Sequence, residues 1–209
     1  MKIILASKSP RRREILENLG VEFDIIAPDT DEASDEKEPA RLVASLALAK
    51  GEAAAELLMR EPKYIDSDER IVIISSDTLV AVGSEILGKP SDLDEAAEML
   101  RRIQGRSHSV YSGIALTEIR SGRIVKSVAE SDVTAVHFAP MSDREIDFYV
   151  NTERVLDKAG AYAIQGYASA WIDKIDGDYF NVVGLPVRKL FVMMSRELGI
   201  NPEDIMRRV

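Results

Sequence analysis

From His108 to Phe138 the hydrophobic period is two. Val110, Ser112, Ile114 and Leu116 alternate with other residues, Ser121-Gly122 supplies a turn, and Ile124 to Phe138 returns. Alternation on that scale predicts a long antiparallel hairpin. The apolar runs before it are of another kind. Ile3 to Ala6 and Ile71 to Ile74 are continuous, and the second is wholly β-branched, as in a strand buried on both faces. Val21 to Ala27 reads as a further short strand, and Trp171 to Asp178 as a short strand with an Asp176-Gly177-Asp178 turn. Helices are predicted between them. Pro39 to Met59 is Ala/Leu-rich, with Gly51 its weak point, and Asp92 to Ile103 is capped by Ser91 and closed by Gly105. Ser142-Asp143-Arg144-Glu145 is a capping box opening a helix to about Tyr149, and Pro186 to Leu198 is a last helix ended by Gly199. Helices alternating with strands around one antiparallel hairpin predict an α/β protein with a mixed sheet. A ligand is then expected where the two halves of the sheet meet.

The 209 residues suffice for one large domain or two small lobes, with a core that needs no covalent staples. No repeat, low-complexity tract or flexible linker interrupts them. Lys plus Arg number 27 against 36 Asp plus Glu, a net charge of −9. Such a surface repels nucleic acid and anionic membranes, so neither is an expected partner. The chain has no cysteine, which excludes disulfides, thiol catalysis and thiolate-bound zinc and fits a cytoplasmic location. The apolar residues before Ser7 are too few for a signal peptide, and no apolar run approaches membrane-spanning length.

Against that acidic background, Ser7-Lys8-Ser9-Pro10-Arg11-Arg12-Arg13 is conspicuous. Ser9 suits an N-cap and Pro10 a first helical position. The arginines then occupy the first turn, where the helix dipole is already positive. Cations beside free backbone N–H groups point to an anion, and phosphate at a helix N-terminus is the usual one.

Other polar residues carry alternatives. Asp77 follows the buried run Ile71 to Ile74, at what reads as the strand's C-terminal end. It can ligate a divalent metal, activate water, or satisfy backbone N–H groups of a turn. Thr78 can cap or touch ligand. Lys89, in Gly88-Lys89-Pro90, is either a phosphate ligand or a solvated loop cation. Lys50, well inside a helix, and Lys158 either enter a cleft or snorkel to the surface. Gln165 either reads a nucleobase edge or is satisfied by backbone. The acidic stretch Pro28 to Glu38 reads as a solvated loop. His108 and His137 lack metal-ligand spacing and read as structural. The chain has no Walker A, Gly-x-Gly-x-x-Gly or Gly-x-Ser-x-Gly pattern. Basic groups and hydroxyls near the N-terminus, loop lysines, and carboxylates at Glu32 and Asp77 suit metal-assisted attack of water on a phosphate ester or anhydride.

Five motifs, in order, resemble the Maf family of nucleoside triphosphate pyrophosphatases. They are Leu5-Ala6-Ser7-Lys8-Ser9-Pro10-Arg11-Arg12, Ser76-Asp77-Thr78, Leu87-Gly88-Lys89-Pro90, Lys158 to Gly166, and Asn181-Val182-Val183-Gly184-Leu185-Pro186. The resemblance runs from Leu5 to about Val187. It implies a single domain over residues 1–209, with a mixed twisted sheet, flanking helices and two lobes around a central cleft, similar to inosine triphosphate pyrophosphatases. It implies hydrolysis between the α and β phosphates, giving a monophosphate and pyrophosphate. Asp77 matches the family's proton acceptor; Arg11, Thr78 and Gln165 match positions linked to substrate choice; Glu32, Lys50 and Lys89 look like the other cleft residues. The Ala163-Ile164-Gln165-Gly166 ending is similar to the branch acting on dTTP and UTP, not the one preferring 7-methyl-GTP. Glu153-Arg154-Val155 departs from the usual Gly-Glu-Pro, Asp132 stands for Glu, and Ser112 for Thr.

The expected mechanism places Mg²⁺ or Mn²⁺ between phosphate oxygens and carboxylates including Asp77 and Glu32. Asp77 orients or deprotonates water. Ser7, Ser9, Arg11, Arg12 and the helix N-terminus hold the phosphates. Lys50 and Lys89 offset charge on the leaving pyrophosphate, and Thr78 and Gln165 read the base. The alternatives are a non-enzymatic nucleotide-binding regulator of cell division, which has no need of carboxylates beside a phosphate cradle, and a sugar-phosphate phosphatase. The sequence leaves oligomeric state open, a homodimer included.

Overall fold

In the computed structural model, which describes residues 1–29, 34–61, 64 and 69–207, the first apolar run is strand β1 (Lys2–Ala6). It leads into helix α1 (Pro10–Asn18), which Gly20 ends with a φ of +67°. The expected strand from Val21 to Ala27 shrinks to β2 (Asp24–Ile25). Helix α2 (Pro39–Leu58) follows. Next come strands β3 (Ile71–Val82) and β4 (Glu85–Leu87), and helix α3 (Leu93–Ile103), whose N-cap is Asp92, one residue after the expected Ser91. The hairpin is β5 (Ser107–Arg120) and β6 (Arg123–Phe138), joined at Ser121-Gly122, both with positive φ as a two-residue hairpin turn requires. Helix α4 (Asp143–Thr152) opens with the expected capping box. After 3₁₀ turns at Ala159–Ala161 and Gly166–Trp171 come β7 (Ile172–Asp176) and the short helix α5 (Tyr179–Val183). Helix α6 (Val187–Met193) continues through a π turn (Met194–Leu198) to Gly199, and α7 (Pro202–Ile205) is the last element.

The strands form one seven-stranded mixed sheet in the order β2-β1-β3-β5-β6-β7, with β4 paired to β3. β1 runs parallel to both β2 and β3, in the register Ala6 to Ser75, whereas β4 pairs with β3, and β7 with β6, antiparallel. This is the α/β class with a mixed sheet and flanking helices that the pattern predicts. Among the described residues no helix is long and apolar enough to cross a membrane.

By internal packing the chain divides into two compact units. The first comprises Met1–Asp77, Ser112–Asp132 and Gly184–Val209; the second, Thr78–Tyr111 and Val133–Val183. The first unit has a core cluster of Ile4, Ala54, Ala55, Leu58, Ile71, Ile73 and Ile119. Full burial of each large aliphatic there contributes roughly 1.5–3 kcal/mol. Helix α2 meets the sheet through small residues: Ala47, Gly51, Ala54 and Ala55 are all buried on it. A Cβ at Gly51 would lie 2.7 Å from Ser75 Oγ and 2.8 Å from Thr117 Oγ1, and one at Gly113 of β5 would lie 2.0 Å from the Val43 carbonyl oxygen. The backbones of α2 and the sheet thus approach closely at glycine. In the second unit, α3, α4 and the strand ends enclose Leu100, Ile103, Val136, Phe138, Tyr149 and Tyr162.

Candidate active site

The first unit assembles most of the candidate residues. β1 ends at Ala6, and the following loop folds back on itself. Ser7 is nearly buried, and its Oγ accepts from the Ser9 N–H at 3.2 Å and from Arg12 Nη1 at 3.2 Å. Ser9 is the N-cap of α1 by position, as expected, but its side chain makes no capping bond, so α1 starts without a side-chain cap on its first N–H groups. No acidic residue sits in that first turn to complement the dipole. Arg11 Nε is buried with no protein acceptor. Arg12 Nε donates to the Gly184 carbonyl at 2.8 Å. Arg13 turns away, exposed, to its helical neighbour Glu17. The three arginines are therefore not equivalent, and the loop keeps donors that an anion would satisfy.

Asp77 departs from the sequence reading in its placement. It does not follow the strand; β3 continues through it to Val82. Polar Ser75-Ser76-Asp77 reads as a turn in one dimension, but here each side chain has a partner that permits extended backbone. Ser75 Oγ donates to the Ala47 carbonyl at 2.7 Å, Ser76 Oγ donates to the Gly184 carbonyl at 2.9 Å, and Asp77 accepts from Lys50 Nζ. Alternation along the strand puts Ser75 and Asp77 on one face, toward α2, and Ser76 on the other. Since β1 stops opposite Ser75, Asp77 lies just past the level where the Ser7 loop begins. Lys50 does not snorkel to open solvent. Its side chain is 17% exposed and that of Asp77 15%, so the pair is largely withdrawn from water, where its Coulomb attraction is stronger than at a surface.

Thr78, Lys89 and Gln165 belong to the second unit. Thr78 is part of β3 and half-buried; Lys89 and Gln165 are exposed. Two motif loops are tied together there, since the Gly160 N–H donates to the Gly88 carbonyl at 3.0 Å. Gly160 has a φ of +66°, and a Cβ on it would lie 3.0–3.1 Å from Val80, so the small-residue stretch is close-packed backbone. Lys158 is buried, donating to the Arg154 carbonyl and to Asp157 Oδ1, so it braces that loop. His108 and His137 are paired with Tyr162 and Asp176, in keeping with structural roles.

Glu32 lies outside the described residues. Among the described residues no group of three or more His, Asp or Glu is placed to hold a metal, so the expected carboxylate cluster reduces to Asp77 there. Mg²⁺ commonly takes only one or two carboxylates, the rest of its shell being water and substrate phosphate oxygens. Asp77 is a hard oxygen donor of the kind such an ion takes.

Sequence reading gave no role to Ser75, Ser76 or Gly184, which build this site from within. Ser76 and Gly184 did lie in recognisable motifs; what the sequence lacks is any sign that their polar atoms meet. Asn181 was also missed as a strut. Buried in the second unit, its Nδ2 donates to the Val110 carbonyl at 2.9 Å and to Thr134 Oγ1 at 3.0 Å.

Comparison with known proteins is consistent along the chain. The profile of the family described as Maf-like protein matches residues 2–197. A dTTP/UTP pyrophosphatase of Caldanaerobacter subterraneus subsp. tengcongensis is 48% identical over 200 residues, 96% of this chain and 91% of that protein. A dTTP/UTP pyrophosphatase of Clostridium acetobutylicum is 41% identical over 203 residues, 96% of this chain and all of that protein. Among solved structures, a dITP/XTP pyrophosphatase from Mycobacterium abscessus superposes with a TM-score of 0.41 at 15% identity, over 95% of this chain and 96% of that one.

Proposed function

The chain belongs to the Maf-like protein family, and on that premise we propose that it is a nucleoside triphosphate pyrophosphatase acting on dTTP and UTP, releasing the monophosphate and pyrophosphate. The observation that carries the phosphate part of this reading is the uncapped start of α1 with the buried, acceptor-less Arg11 Nε beside it. A buried unpaired donor costs roughly 1–3 kcal/mol, and a phosphate oxygen relieves it.

Ser7, Ser9, Arg11 and Arg12 with the α1 N-terminus form the phosphate-binding side. Asp77 is the proton acceptor for the attacking water. Lys50, paired with Asp77, holds that carboxylate in place and offsets charge on the phosphate oxygens. Lys89 is a further phosphate ligand. Thr78 and Gln165 read the pyrimidine, an amide being able to donate and accept at once. Asp77, with Glu32, is the carboxylate that would hold Mg²⁺ or Mn²⁺; such an ion supplies charge neutralisation on the phosphate oxygens.

A panel of nucleoside triphosphates incubated with the protein and Mg²⁺ or Mn²⁺ tests the proposal by product identity. Pyrophosphate with dTMP or UMP is the expected result. Orthophosphate release indicates a phosphatase instead, and tight nucleotide binding without turnover indicates a regulator.

A further inference from the structure

We propose that the Gly184 carbonyl is the anchor that orders the phosphate loop, with Arg12 and Ser76 acting through it as positioning residues, an inference that rests on the function proposed above. Three segments remote in sequence meet at this one oxygen. Arg12 Nε of α1 reaches it at 2.8 Å and Ser76 Oγ of β3 at 2.9 Å. A carbonyl oxygen has two lone pairs, and these two donors occupy both. The same guanidinium donates through Nη1 to Ser7 Oγ, which in turn accepts the Ser9 N–H. A continuous hydrogen-bonded path therefore runs from Ser76 through Gly184 and Arg12 to Ser7 and Ser9, all within the first unit.

Two features make this path stiff. Gly184 has a φ of +119°, a backbone region that L side chains rarely adopt, so the direction of its carbonyl depends on glycine. Ser76 is fully buried, and its hydroxyl lies on the strand face opposite the neighbouring Asp77 side chain. Fixing Ser76 from behind fixes the backbone that carries Asp77. The rigid fork of an arginine also lets it serve Gly184 and Ser7 at once, which the single ammonium of a lysine does not reproduce. Arg11 and Arg12 thereby divide their work. Arg11 presents a buried Nε with no protein acceptor, whereas Arg12 spends Nε and Nη1 on the loop itself.

The test is a double-mutant cycle on Ser76→Ala and Arg12→Lys, with kcat and KM for dTTP measured and folding checked by circular dichroism and thermal unfolding. Ser76→Ala is expected to lower kcat about ten-fold, with KM changed by less than about two-fold, as a shift of a catalytic group without loss of a substrate contact does. Arg12→Lys is expected to lower kcat/KM about a hundred-fold, and the double variant to be much less impaired than the product of the two losses, because both act through one oxygen. Independent, multiplicative losses in folded variants overturn the clamp while leaving the proposed function standing. So does a Ser76→Ala protein that is less stable but has unchanged kcat and KM. A wild-type protein that releases no pyrophosphate from dTTP or UTP overturns the function, and the clamp as a catalytic device with it.

Discussion

The Asp77 carboxylate and the Lys50 ammonium form a partly desolvated pair. Under the proposed function, the lysine holds the carboxylate in place before substrate arrives. Asp77→Asn keeps the shape and removes the base; pyrophosphate release is expected to fall by about 10²–10⁴-fold in a folded protein. Near-normal turnover in that variant would remove Asp77 from its assigned role. Lys50→Met leaves the carboxylate without its ammonium. Activity should fall, and the protein should lose on the order of 1–3 kcal/mol by urea unfolding, less than for a fully buried pair because both groups keep some solvent. Legibility at this scale was uneven. Asp77 stood out as a carboxylate beside a buried run. Its partner did not, because 27 residues separate them and only the packing of α2 on β3 brings the two together. Arg11 and Arg12 were both visible as anion-binding candidates, but nothing in a run of arginines tells which one spends its donors on Gly184.

At the scale of elements, local chemistry explains which readings held. The hairpin, the capping box at Ser142 and the glycine stop at Gly199 are set by residues within a few positions of one another, and all appear where expected. Strand β3 ran past its expected end because its polar segment found partners in α2 and at Gly184, information that is non-local. β2 is short because both of its residues are exposed, leaving little buried face to extend the pairing with β1. Helices α5 and α7 span five and four residues, too short to show a period of 3.6. Gly51 reads as a weak point of α2 in sequence, and by helix propensity alone Gly51→Ala would stabilise by about 1 kcal/mol. The packing reverses that sign. The new methyl meets Ser75 and Thr117 oxygens at 2.7 and 2.8 Å, and Ser75 is already committed to Ala47. Gly51→Ala is expected to destabilise by about 1–3 kcal/mol in urea unfolding, and a stabilised variant would show that α2 can lift off the sheet.

For the molecule as a whole, the clearest consequence is how stability depends on pH. His108 is buried in the second unit between Phe138 and Tyr162, with ring centroids 5.7 and 5.3 Å away and its Nε2 2.7 Å from the Tyr162 hydroxyl. Burial, aided by the charge of His137, pushes its pKa down from 6.5 to about 4, so it is neutral in the fold at neutral pH. As pH falls below 6.5 the unfolded chain takes up a proton at this position before the folded one does. Stability from this group is therefore complete above about pH 6.5, declines as pH falls toward 4, and totals about 3 kcal/mol across that window. The carboxylates act at lower pH. Burial alone would raise the pKa of Glu118, but hydrogen bonds from Arg70 and Arg120 outweigh it and leave it below the ordinary 4.5. Its contribution is present above that value and is lost as pH falls through the depressed one. His108→Gln separates the two regimes, since an amide still reaches the Tyr162 hydroxyl but does not titrate. Urea midpoints measured from pH 8 to pH 3.5 should lose their slope between 6.5 and 4.5 in this variant and keep the steeper fall below. An unchanged slope in the upper window would mean that another group carries it.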